Sequence, residues 1–71
     1  MKRIKYYARR RVDGEEWEVA VISADYFAAM TGRRVDGDVE LFAGNAMLAR
    51  REYIVCSGGK FLGVFKYEKI L

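Results

Sequence analysis

The chain has 71 residues, a single Cys, no His and a formal net charge of +3. That composition excludes an intrachain disulfide, a Cys/His zinc site and any Ser–His or Cys–His nucleophile pair. At 52% hydrophobic residues it also excludes a disordered tail, although a chain this short buries only about 60% of the surface its unfolded form exposes.

The expectation is one α+β domain over residues 1–71: an antiparallel sheet of about four to five strands with one short helix packed on it. The basic start leads through Tyr6, Tyr7 and Ala8 straight into Arg9, so no apolar targeting segment follows it and no run approaches a membrane span. With one cysteine the expected setting is the reducing cytoplasm, without a membrane partner.

Asp13-Gly14 divides two extended runs, and the two-residue turn this pair favours sets a hairpin register. Val12 then faces Glu15, Arg11 faces Glu16, Arg10 faces Trp17 and Arg9 faces Glu18, continuing to Lys5 opposite Ile22. Alternation gives a core face of Ile4, Tyr6, Ala8, Val19 and Val21, with Arg10 stacked on Trp17 near the turn. The opposite face carries a basic stripe of Arg3, Lys5, Tyr7, Arg9 and Arg11. Glu18 and Glu16 meet Arg9 and Arg11 across the strands, which leaves Arg3 and Lys5 unmatched.

Ser23 is an N-cap, Asp25 suits a first turn and Gly32 a C-cap, which predicts a helix over 24–31 with Phe27 and Met30 on its inner side. Asp36-Gly37 is a turn. The following VELFA reads as a strand with Val39, Leu41 and Ala43 on one face and Asp38, Glu40 and Phe42 on the other, and less well as the start of a helix capped by Asp38. Residues 43–51 fit either an extension of that strand or one short helical turn. A second hairpin turns at Gly58-Gly59, pairing Ser57 with Lys60, Cys56 with Phe61, Val55 with Leu62 and Tyr53 with Val64. Both of its faces are apolar: Ile54, Cys56, Phe61, Phe65 and Tyr67 on one, and Tyr53, Val55, Leu62 and Val64 on the other. One eight-residue helix covers about one sheet face, so the second set is expected to form a protein or homodimer interface.

No motif supports catalysis. Ser57-Gly58-Gly59-Lys60 lacks the upstream glycine of a phosphate loop, and Phe61 stands where Ser or Thr would bind magnesium. Asp36, Asp38 and Glu40 start like a calcium loop, but Leu41 and Met47 occupy the glycine and closing-acid positions. The expectation is a protein without enzyme activity, cofactor, metal or small-molecule substrate.

Two binding readings follow. Arg3, Lys5 and Tyr7, with Arg33 and Arg34, are candidate contacts to an anion or nucleic acid. Tyr53, Val55, Leu62 and Val64 are the candidate protein interface. Element order and size (a hairpin, a short helix, then further antiparallel strands) resemble several small phage-encoded proteins that block host defence, the anti-CRISPR proteins among them. The resemblance covers the whole chain, lies in architecture and carries no motif, so no functional residue transfers with it. It implies action by occupying a partner's surface, without chemistry. The leading expectation is therefore a masking protein, with direct nucleic-acid binding by the first hairpin as the alternative.

Overall fold

The computed structural model describes residues 4–66, so Arg3 and Tyr67 lie outside the described residues. Five strands form one antiparallel sheet in chain order: β1 (Tyr6–Val12), β2 (Glu15–Ile22), β3 (Val39–Ala43), β4 (Glu52–Ser57) and β5 (Lys60–Lys66). Two helices interrupt them, α1 (Ala24–Thr31) between β2 and β3 and α2 (Asn45–Arg50) between β3 and β4.

The first hairpin has the register its turn dictates, from Val12 opposite Glu15 to Tyr6 opposite Val21. Asp13 and Gly14 both take positive φ, 50° and 79°, the twist a two-residue connection needs between right-twisted strands. α1 is bounded as its caps require. The Ser23 hydroxyl accepts from the Tyr26 N–H at 3.0 Å, and Gly32, left-handed at φ 75°, donates its N–H to the Ala28 carbonyl at 2.7 Å. β3 is a strand, and residues 45–50 form the short helix. α2 has no side-chain cap and ends on Arg51 at φ 58°.

The core lies between α1 and one sheet face. Ala20, Ile22, Phe27, Val39, Leu41, Ala43, Tyr53 and Val55 are all at most 1% exposed and form one cluster. Met30 from α1, Met47 and Leu48 from α2, and Leu62 and Phe65 from β5 pack around it. Phe27 meets Phe65 edge to face at 5.6 Å between ring centres.

This reverses the expected faces along β1 and β2, although Ile4, just before β1, packs against the core as expected. The helix-covered side carries Tyr7, Arg9 and Arg11 beside Ala20 and Ile22, and the side of Tyr6, Ala8, Val19 and Val21 is the open one. The physical reason is that α1 sits over β2–β5 and leaves β1 beyond its edge. β2 is a central strand whose run Val19–Ile22 is buried on both faces, so its alternation holds no information about which face is inner.

The second hairpin departs once from its expected register. Ser57–Lys60 and Cys56–Phe61 pair as expected, but Val55 lies opposite Gly63 and Tyr53 opposite Phe65, because an extra residue enters β5 between Phe61 and Gly63. Beyond this bulge, Phe65 takes the covered face and Val64 the open one.

Candidate functional site: the open sheet face

The proposed interface residues separate in the structure. Tyr53 is 1% exposed and Val55 0%, both beneath the helices, and Leu62 packs at the rim of the same core. Tyr53 and Val55 are core residues and cannot meet a partner without unfolding. Only Val64, 58% exposed, faces solvent, and it does so on the opposite side of the sheet.

The register of all four strand pairs builds that opposite side row by row. Its middle row runs Ala8, Val19, Phe42, Ile54, Val64, one residue from each strand and all apolar. The next row is Tyr6, Val21, Glu40, Cys56, Phe61. Tyr6 and Phe61 close its two ends and are largely exposed. On the other flank Trp17 is half-buried, its ring 3.8 Å from where a Cβ on Gly44 would stand. Both helices pack on the reverse side, so among the described residues this face has only its own side chains for cover.

Arg10 supplies much of that cover. Its guanidinium lies 5.9 Å from the centre of the Phe42 ring and 3.8 Å from the Glu40 carboxylate, both on β3. The side chain thus reaches across β2 from β1 to β3, and Val19 and Val21, the β2 residues opposite Phe42 and Glu40, are only 1% and 3% exposed. The expected partner, Trp17, lies directly across the ladder from Arg10, but Arg10 reaches diagonally to Phe42 instead. Cys56 lies opposite Glu40 in the same row, and partial burial followed by that carboxylate pushes its thiol above the ordinary value of 9.0.

The basic stripe is more fully compensated than the sequence suggests. Lys5, expected to be unmatched, bonds the Asp38 carboxylate at 3.0 Å. Arg9 meets both Glu16 at 3.2 Å and Glu18 at 3.5 Å, taking the acid assigned to Arg11. Arg11 is then the stripe member without an ion pair among the described residues. Tyr7 is exposed beside Arg9 and Glu18. Arg33 and Arg34 stand apart from the stripe, in the loop after α1, where Arg33 donates to the Leu62 carbonyl at 3.2 Å.

Sequence reading found Val64 but missed Phe42 and Trp17, and it placed Tyr6 and Ala8 inside. The signal for the rest was present: Ile54, Cys56 and Phe61 form one of the two apolar sides of the second hairpin. Among the described residues no three His, Cys, Asp or Glu side chains stand together as a metal site, and no helix is long and apolar enough to cross a membrane. The chain matches no family model, and comparison with curated proteins and with solved structures likewise yields no match.

Proposed function

We propose that the protein is a non-enzymatic binding module that seats a protein partner on its open sheet face and so masks the partner's surface. The observation that carries this reading is the unbroken apolar row Ala8–Val19–Phe42–Ile54–Val64 across all five strands, on the side away from both helices. Within the row Val64 is exposed, Ala8, Phe42 and Ile54 are partly so and Val19 is covered; with exposed Tyr6 and Phe61 in the next row they bring apolar and aromatic side chains together on one surface, a composition that favours interaction.

The charge of the face selects the class of partner. Among the described residues Arg10 and Lys66 are its cations, against Glu15, Glu40 and Glu52. A surface with no positive excess lacks the counterion-releasing contacts on which nucleic-acid affinity depends. The sheet edges favour the same face over strand addition. β1 presents Arg9, Arg10 and Arg11, and β5 begins and ends on Lys and carries the bulge, two devices that discourage edge pairing. Occlusion, the mode of the phage inhibitors whose element order the chain resembles, needs nothing beyond such a surface.

The test is partner capture from native lysate with and without nuclease, using the parent chain, Phe61→Lys with Val64→Lys, and Lys5→Glu with Arg11→Glu. Capture that survives nuclease and is lost only in the first variant, with its circular dichroism intact, is the expected outcome. Capture that disappears with nuclease or with the second variant would instead point to nucleic acid on the first hairpin. Concentration-dependent mass of the purified parent would identify the partner as a second copy.

A further inference from the structure

We infer that the cleft at the Gly58-Gly59 end of the sheet receives carboxylate side chains from an acidic segment of the protein seated on the open face. This inference rests on the docking reading above and adds the partner's chemistry to it. The cleft, about 720 Å³, lies between the loop that leaves α1 and the turn of the second hairpin. Arg33, Arg34 and Lys60 line it, all three exposed.

Its acids are mostly spoken for. Asp38 holds Lys5 at 3.0 Å and Glu40 holds Arg10 at 3.8 Å, which leaves Asp36 without an ion pair among the described residues. Among the described residues the Arg33 guanidinium is engaged by a neutral carbonyl, that of Leu62, and by no carboxylate. Among the described residues, three cations without an ion pair thus line the cleft with one unpaired carboxylate.

The cleft is also held in shape. The Ser57 hydroxyl donates to the backbone carbonyls of Asp38 at 3.1 Å and Gly37 at 3.4 Å, tying turn to loop, and Arg33 ties the loop to β5. Groups fixed before binding lose less entropy on binding. Val21, Val35 and Leu62 give it an apolar lining, and the turn glycines add no side chain to fill it.

Two features favour discrete carboxylates over a polyphosphate. The unpaired Asp36 stands on the cleft wall beside the three cations and disfavours a ligand with closely spaced charges, such as duplex DNA at one charge per about 1.7 Å, more than a single carboxylate placed away from it. The cleft also opens onto the docking face, since Tyr6, Val21 and Glu40 belong to both. A partner lying on the apolar row therefore reaches Arg34 and Lys60 with an acidic side chain at its margin, where guanidinium–carboxylate bonds form with good geometry.

The experiment is an amide-resolved NMR titration of the full chain with a short peptide alternating Glu and Leu. A Gln–Leu counterpart and an oligothymidylate serve as competing probes. The expected result is shifts at the amides of Arg34, Gly58, Gly59 and Lys60 with the Glu peptide. Binding there should be weaker by on the order of tenfold with the Gln peptide, and by a similar factor in Arg34→Glu with Lys60→Glu. Silent cleft amides, equal response to the Gln peptide, or tighter binding of oligothymidylate at these amides would each overturn the inference. Phe61→Lys with Val64→Lys should abolish partner capture yet leave the cleft shifts in place. The cleft and the docking face are thus read by different variants, and one can fail without the other.

Discussion

Gly63 sits at φ 138°, inside the region that side-chain-bearing residues rarely adopt, on the strand that takes up the extra residue. A Cβ there would be 3.5 Å from the Phe65 ring, an ordinary contact, so the requirement for glycine comes from the backbone and not from space. Gly63→Ala should cost about 1–2 kcal/mol in urea denaturation, and an unchanged midpoint would show that the strand relaxes freely. A lone glycine inside a strand pattern is a bulge signal, and here it was visible in FLGVF. The expected register failed by that one residue, which exchanged the faces of Val64 and Phe65. Cys56, two positions before the turn, gives a second prediction at this scale. Its thiol is raised by partial burial and by Glu40, so the folded state disfavours the thiolate relative to the unfolded chain. A group with a raised folded pKa contributes stability that is present below the unfolded value and lost as pH rises through the folded one. Stability should therefore fall above about pH 9 by more in the parent than in Cys56→Ala. Alkylation at pH 8 should be slower in the native chain than in urea, and equal rates would rule out the shift.

Among the elements, α1 was readable to its bounds because both ends carry local chemistry that tertiary packing did not override. The Ser23 hydroxyl satisfies an otherwise open N–H, and Gly32 supplies the left-handed residue after the last turn. Ser23→Ala should cost about 1 kcal/mol, measured by thermal or urea unfolding, while Ser23→Asp should hold most of the stability through the same acceptor geometry. α2 shows the opposite case. Its six residues have no side-chain cap, and it stays in place through Met47 and Leu48 packed on the core, contacts that residues 43–51 alone do not reveal. The first hairpin illustrates what a turn does and does not encode. Asp13-Gly14 gave every pairing from Tyr6 to Val12, since register is a local property of the turn. Which face meets the helix depends on where α1 lands, and β1, an edge strand, lies outside its footprint. The apolar residues Tyr6 and Ala8 then belong to the open face.

At the scale of the molecule, two apolar sheet faces share one helical layer, and the register makes the contrast between them testable with similar substitutions. Tyr53 and Val55 lie on the covered side, Phe61 and Val64 on the open side, all within one hairpin. Truncation on the covered side removes buried contacts and leaves a cavity that a thin core cannot refill, at about 3–5 kcal/mol for Tyr53→Ala and about 1–3 kcal/mol for Val55→Ala. A chain of this size has little more than that to lose, so Tyr53→Ala should be largely unfolded at room temperature. Phe61→Ala and Val64→Ala remove side chains that are 63% and 58% exposed, and should shift the urea midpoint by no more than about 0.5 kcal/mol equivalent. Their effect should fall on partner capture instead. The comparison is made on the purified chain at two protein concentrations. If the open-face variants cost as much as Val55→Ala, and the midpoint of the parent rises with concentration, then that face is already covered by a second copy in solution. If they are costly at every concentration, the open face is part of the folding core and the docking reading fails. A small, concentration-independent cost leaves the row from Ala8 to Val64 as a surface that the isolated chain does not need for its own stability.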